Sequence, residues 1–172
     1  MVWTIGHSTR TLEEFVTLLQ LHGIERIADV RRHAGSRKYP HFNAEPLAAA
    51  LASHGIDYRP FADLGGRRKA SPTSTNTVWR NASFRGYADY MATEEFRVAL
   101  SRLVDAARER RTALLCSEAV WWRCHRSMIA DALKATGIEV LHILGESKVV
   151  EHPYTDPAQI VDGTLRYGPA ST

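Results

Sequence analysis

The residues able to do chemistry are concentrated in Thr112 to Gly137, which reads TALLCSEAVWWRCHRSMIADALKATG. Cys116, Ser117, Glu118, Arg123, Cys124, His125, Arg126 and Ser127 lie between an uncharged run, Thr112 to Cys116, and a segment with Met128, Ile129, Ala132 and Leu133 on one helical face. The run predicts a buried strand, the periodic segment a helix, and the residues between them a strand-to-helix turn. Such a turn leaves backbone N–H groups unpaired at the positive end of a helix dipole, which favours an anion. The amides of Cys124 to Ser127, with His125 and Arg126, are the expected anion-binding groups. Each residue alone has a bland explanation: a cysteine ending an apolar run is most often a small buried hydrophobe, and charges at a helix start are usually solvated. Two thiols, a carboxylate, two arginines and an imidazole within eleven residues are hard to explain by packing alone.

Three chemistries fit parts of this set. A thiol at a strand end, among arginines, has a lowered pKa and makes Cys116 a candidate nucleophile. Against it, Glu118 stands two residues on and two tryptophans fill the loop. Cys116, Cys124, His125 and His7 could supply four zinc ligands, but adjacent Cys-His pairs rarely turn both side chains to one metal. The usual paired spacings are also lacking, so no metal is expected and no cofactor is assigned. The third chemistry fits best: Glu118 or Asp29 as acid or base, His7 at a leaving group, Arg31 and Arg126 on a phosphate, and Trp121 or Trp122 stacked on a base. For Asp29 and Arg31 a structural ion pair at a strand end explains the residues equally well.

These residues need elements to position them. Val2 to Ile5 reads as a first strand, leaving through Gly6-His7-Ser8. Thr11 and Glu14 have the form of a capping box before a helix that stops at Gly23. Arg26 to Val30 is a second strand, Pro46 to His54 a helix, and Ile56 to Phe61 a third strand opening into Leu64-Gly65-Gly66. A polar stretch from Lys69 to Thr77 reads as mobile. Helices resume near Ser83 and Thr93, and a fifth strand spans Glu139 to Leu144. The tail from 145 to 172, with Pro153, Pro157, Gly163, Gly168 and Pro169, reads as an extended wrap around a core of about residues 2–144. This alternation predicts a single α/β domain: a mainly parallel five-stranded sheet with helices on both faces, in three layers. Ligands in such folds bind beyond the carboxyl ends of the strands. There the chain delivers His7 and Ser8, Asp29 and Arg31, Asp63 with Gly65 and Gly66, Cys116 to Glu118, and a region near His142.

T-I-G-H-S at Thr4 to Ser8, D-V-R at Asp29 to Arg31, L-G-G at Leu64 to Gly66, C-S-E at Cys116 to Glu118 and C-H-R at Cys124 to Arg126 together resemble the family called domain of unknown function 488. The resemblance runs from Thr4 to about Leu144. It implies a compact α/β domain and carries no established reaction.

Composition narrows the setting. With 172 residues, 44% hydrophobic and 24% charged, the chain has the make-up of a folded soluble domain rather than a disordered one. It lacks both an apolar run long enough to span a membrane and the layout of a signal peptide, so a cytoplasmic protein is expected. Two cysteines eight positions apart make no disulfide framework. The net charge of +3 permits a polyanionic partner without requiring one. The expected function is an enzyme, hydrolase or transferase, on a nucleotide-like or other phosphate-bearing substrate. The rival is a nucleic-acid-binding module using the basic loops 31–38 and 67–69, for which strong salt dependence would be diagnostic.

Overall fold

A computed structural model describes residues 1–168 of the chain. Five segments form parallel strands: β1 (Val2–Gly6), β2 (Arg26–Asp29), β3 (Asp57–Pro60), β4 (Thr112–Cys116) and β5 (Val140–Ile143). Every residue of β1, β2 and β4 is buried, the pattern of parallel strands covered on both faces. The sheet order is β3-β2-β4-β1-β5-β6, where β6 (Val149–Glu151) runs antiparallel to β5. The expected five strands are therefore six. The added strand is three residues, two exposed and one half-buried, without an apolar period, and its pairing with the free edge of β5 makes it a strand.

The helices are α1 (Leu12–Leu21), α2 (Ala44–Ser53), α3 (Ala82–Met91), α4 (Glu94–Glu109) and α5 (Arg126–Ala135). Helix α1 starts at the capping box: Glu14 N–H donates to Thr11 Oγ1 and Thr11 N–H to Glu14 Oε1, both at 3.1 Å. Helix α2 begins two residues before Pro46, because proline fits within a first helical turn. Alternate strand residues feed two apolar clusters. Trp3, Ile5, Ile27, Ala113 and Leu115 pack with Phe15 and Leu19 of α1 and Leu47 and Leu51 of α2. Val2, Ala28 and Leu114 pack with Tyr87 of α3, Leu103 of α4 and Met128 and Leu133 of α5.

Two readings of the polar segments are corrected. The tail is not an extended wrap: β7 (Ala158–Val161) and β8 (Thr164–Tyr167) form an antiparallel hairpin, and Tyr167 reaches the second cluster. Its turn, Asp162-Gly163, has positive φ at both residues, the two-residue geometry that favours this dipeptide. Pro169 lies outside the described residues. The stretch from Lys69 to Thr77 is anchored rather than loose. Asp89 of α3 accepts from Ser71 N–H at 2.9 Å, Ser74 Oγ at 2.6 Å and Asn76 Nδ2 at 2.7 Å. Among the described residues, no helix is long and apolar enough to cross a membrane.

Candidate functional site

Sheet register brings distant motifs together. Gly6 pairs with Cys116 and Asp29 with Leu115. The zipper continues past the strands, with His7 N–H on Cys116 O and Ser8 N–H on Ser117 O, both at 3.0 Å. This holds the 117–119 loop over the end of β1, close enough that only glycine fits beneath it. A Cβ on Gly6 would lie 1.6 Å from Glu118 O. The L-G-G glycines have the same reason: a Cβ on Gly65 would meet Arg32 Cα at 2.5 Å, and one on Gly66 would meet His125 Nδ1 at 2.8 Å.

The result is a cleft of about 330 Å³ beyond the carboxyl ends of β2 and β4. Its walls carry Arg31, Arg32 and His33 after β2, Gly66 and Arg67, Asn81, Ser83, Phe84 and Tyr87 around the start of α3, and Cys116, Ser117, Glu118, Arg123, Cys124 and His125 after β4. A second cavity adjoins it, sharing Arg31, His33, Ser117 and Glu118 and adding His7, Ser8, Ser36, Lys38 and Tyr39. Glu118 is exposed and lines both. Cys116 and Cys124 are free thiols. His7 is 3% exposed, stacks on Phe42 at 4.4 Å, and donates from Nδ1 to Ser8 O at 2.9 Å. That bond leaves Nε2 as its unprotonated nitrogen, and burial lowers its pKa.

Other expected site residues stand behind the cleft wall. Asp29, 1% exposed, accepts from Arg31 Nε at 2.9 Å, Arg31 Nη2 at 2.8 Å and the Tyr58 hydroxyl. Its oxygens are occupied, so it fixes the direction of Arg31 and is not placed as an acid or base. Arg126 is 0% exposed and Ser127 1%, and neither lines the cleft. The start of α5 is not the open anion site expected from its sequence. Ser127 N–H donates to Cys124 O at 3.0 Å and Cys124 N–H to Trp121 O at 3.2 Å, so tight turns consume two of the four expected amides, and the Arg126 side chain is buried. The cations at the cleft come instead from Arg31, Arg32, Arg67 and Arg123. Trp121 and Trp122 line neither cavity. Trp121 stacks on His142 at 4.6 Å and 3°, while Trp122 is 53% exposed. The aromatic groups that do line the cavities are Phe84, Tyr87 and Tyr39. Asn81, Ser83, Phe84 and Tyr87 were missed because nothing local marks them. Asn81 caps α3, and Arg67 is turned by a left-handed backbone, φ 58°.

Near the site lies a polar chain of which sequence reasoning named only His142, missing Thr4, His152 and Asp131. Asp131 Oδ1 accepts from His152 Nε2 at 2.8 Å, which makes His152 Nδ1 the acceptor for His142 Nε2, also at 2.8 Å. His142 Nδ1 then accepts from the Thr4 hydroxyl. When both rings are neutral the bonds run in one direction, from Thr4 to Asp131. Burial, then the charges of His152 and Arg126, push His142 down to about 2. Burial also outweighs the bond to Val30 O in His125, which falls to about 4. Both lie below the ordinary 6.5, so the unfolded chain takes up protons that the folded chain refuses. Their contribution to stability is complete above about pH 6.5 and is lost as the pH falls toward 4 and then 2. Urea unfolding should show a loss of about 2–4 kcal/mol between pH 7 and pH 5. Equal stability at the two pH values would show that these rings titrate normally.

Comparison with known proteins gives one match. A family model described as "Domain of unknown function DUF488" matches residues 11–133. The match includes D-V-R, L-G-G, C-S-E and C-H-R, while T-I-G-H-S precedes it. No curated protein and no solved structure matches the chain.

Proposed function

The chain belongs to the DUF488 family, and on that premise we propose that its cleft binds a phosphate-bearing, nucleotide-like substrate and acts on it as a hydrolase or transferase. The observation that carries this is the lining: Arg31, Arg32, Arg67 and Arg123 surround a concave site holding one exposed carboxylate, Glu118. Guanidinium groups match phosphate oxygens in bidentate geometry, and a concave wall focuses their field. Asp29 holds Arg31 in place. Glu118 is the group free to exchange a proton with a substrate hydroxyl or water. In the adjoining cavity His7 offers an unprotonated Nε2, and Tyr39 offers a face for a base or sugar. The helices are taken to cover both faces of the sheet in three layers, which the two apolar clusters support. The free thiols suit a reducing, cytoplasmic setting.

Isothermal titration with inorganic phosphate and with nucleoside mono- and triphosphates tests this reading. Arg123→Ala and Arg67→Ala, both at exposed residues, should leave melting unchanged. Each should weaken phosphate-ligand binding by roughly tenfold, for one charge-assisted bond of about 1.5–3 kcal/mol partly screened by water. Unchanged affinity in both variants, or no binding by the wild type, would end the phosphate reading.

A second reading, a nucleic-acid interface, is favoured by one observation. Loop cations continue from the cleft into the adjoining cavity through Arg31 and Lys38, as a backbone track would need. Oligonucleotide binding that falls steeply with salt and is lost in Lys38→Ala would select it over a small ligand.

A further inference from the structure

Two cavities meet at one guanidinium. Arg31, Ser117 and Glu118 line both the cleft and the cavity beside it. Arg31 is buried and held from behind. Its Nε and Nη2 donate to Asp29 at 2.9 and 2.8 Å, and Nη2 donates also to Phe42 O at 2.8 Å. Nη1 is the nitrogen left over. It has no hydrogen-bond partner among the described residues and, unlike the unpaired nitrogens of Arg126, it is not sealed from solvent. A phosphate that meets Arg31 Nη1 therefore sits where the cavities join, with space on either side of it.

The two spaces are alike. The cleft holds about 330 Å³ and the adjoining cavity about 400 Å³, each enough for one small ligand group. Each has a half-buried aromatic ring that is not stacked on another ring. In the cleft, Phe84 meets Trp79 edge-on at 5.4 Å and 79°. In the adjoining cavity, Tyr39 meets His7 at 6.0 Å and 62° and His41 at 6.3 Å and 87°. Lys38 Nζ hangs 5.6 Å from the Tyr39 centroid, but its side chain is exposed and free to swing onto a phosphate. A mononucleotide with its base on Tyr39 reaches the cleft arginines with its phosphates alone and leaves the Phe84 ring bare.

We propose that the substrate is a dinucleotide unit with a terminal phosphate. Its bridging phosphate sits on Arg31 Nη1 at the junction. One nucleoside lies against Tyr39, and the other lies in the cleft against Phe84, with the terminal phosphate on Arg67 and Arg123. The proposal rests on the phosphate reading and narrows it to two bases joined by one phosphodiester. Glu118, which lines both cavities, then stands beside the bridging phosphate. Its carboxylate and that of Asp29 behind Arg31 oppose the phosphate. Arg31, Arg32, Arg67, Arg123 and Lys38 outnumber them. An aromatic ring stacks on any base, so the cavities select the number of units rather than their identity.

Isothermal titration of the full chain with pApA, ApAp and ADP tests this. The two dinucleotides carry the terminal phosphate at opposite ends. ADP carries a similar charge on a single base, so a difference from it reports the second nucleoside rather than charge. One of the two dinucleotides should bind at least about tenfold more tightly than ADP, the scale of one base–aromatic stack. Phe84→Leu should remove most of that advantage and change ADP affinity by less than about twofold. The proposal is overturned if neither dinucleotide binds more tightly than ADP, or if Phe84→Leu weakens ADP and the dinucleotide equally. The wild-type titrations decide the matter even if Phe84→Leu fails to fold. A hexa-adenylate with the same terminal phosphate that displaces the dinucleotide identifies a strand end as the source of the two units. One that does not displace it identifies a free dinucleotide, and two units fill the cavities in either case. ADP binding that depends on Arg67 and Arg123, with no gain for either dinucleotide, leaves the phosphate reading standing and removes this one. If no nucleotide binds, the phosphate reading itself has failed.

Discussion

Asp131→Ala should lower the unfolding free energy by about 3–5 kcal/mol, the usual cost of removing one member of a buried charged network. Asp131 is 0% exposed, and its two oxygens accept from four donors: His152 Nε2, Thr155 N–H, the Thr155 hydroxyl and the Tyr167 hydroxyl. Alanine leaves all four buried or half-buried donors unpaired, and each unmet donor costs about 1–3 kcal/mol before relaxation. The carboxylate is also the point where α5 holds the segment after β6 and, through Tyr167 of β8, the hairpin. Hydrogen exchange in residues 158–167 should therefore speed up more than exchange in β1 or β4. Asp131→Asn keeps an oxygen for His152 and, through its amide, can donate to the two hydroxyls, so its loss should be smaller. Urea unfolding of both variants checks this. An alanine variant within about 1 kcal/mol of wild type would mean that water replaces the carboxylate.

Gly6→Ala should be the most damaging change at the cleft. Its Cβ would stand 1.6 Å from Glu118 O and 2.6 Å from Glu118 C, both backbone atoms, and 3.1 Å from Arg126 Nη1. A rotamer change cannot relieve a backbone clash, so either β1 or the 117–119 loop must move. Overpacking of this kind costs about 1–3 kcal/mol and sometimes more. The same loop carries Glu118 into the cleft and supplies the Ala119 carbonyl to Arg126. Affinity for a phosphate ligand should fall by roughly a hundredfold even where the variant folds, since displaced groups lose their alignment. A melting curve and a phosphate titration are sufficient. Wild-type behaviour in both would show that the loop does not rest on Gly6 in solution.

These two residues differ in what the sequence said of them. Gly6 sat in a recognisable motif at a strand end, and its neighbours were read as site residues. Asp131, in the middle of an apolar helix pattern, carried no signal, because its donors come from residues more than twenty positions away. Strands and helices of the first 144 residues were legible because each follows a local rule: apolar runs, a capping box, glycine stops. The hairpin reads as an extended wrap, although its turn dipeptide Asp162-Gly163 could have marked it. Strand β6 was not legible, since its reason for being a strand is the edge of β5.

The amino-acid order by itself determined which residues sit at the carboxyl edge of the sheet, because strand ends can be read locally and parallel strands share one edge. It therefore named Arg31, Cys116, Glu118, Cys124 and His125, all of which line the cleft, and His7, which lines the adjoining cavity. Tertiary structure alone decided which of the charged residues face outward. Asp29 and Arg126 look like site residues in one dimension, yet one is consumed by Arg31 and Tyr58 and the other is sealed beneath the 117–119 loop. Burial and pairing depend on where the chain returns in space, and residue type and spacing do not encode that return.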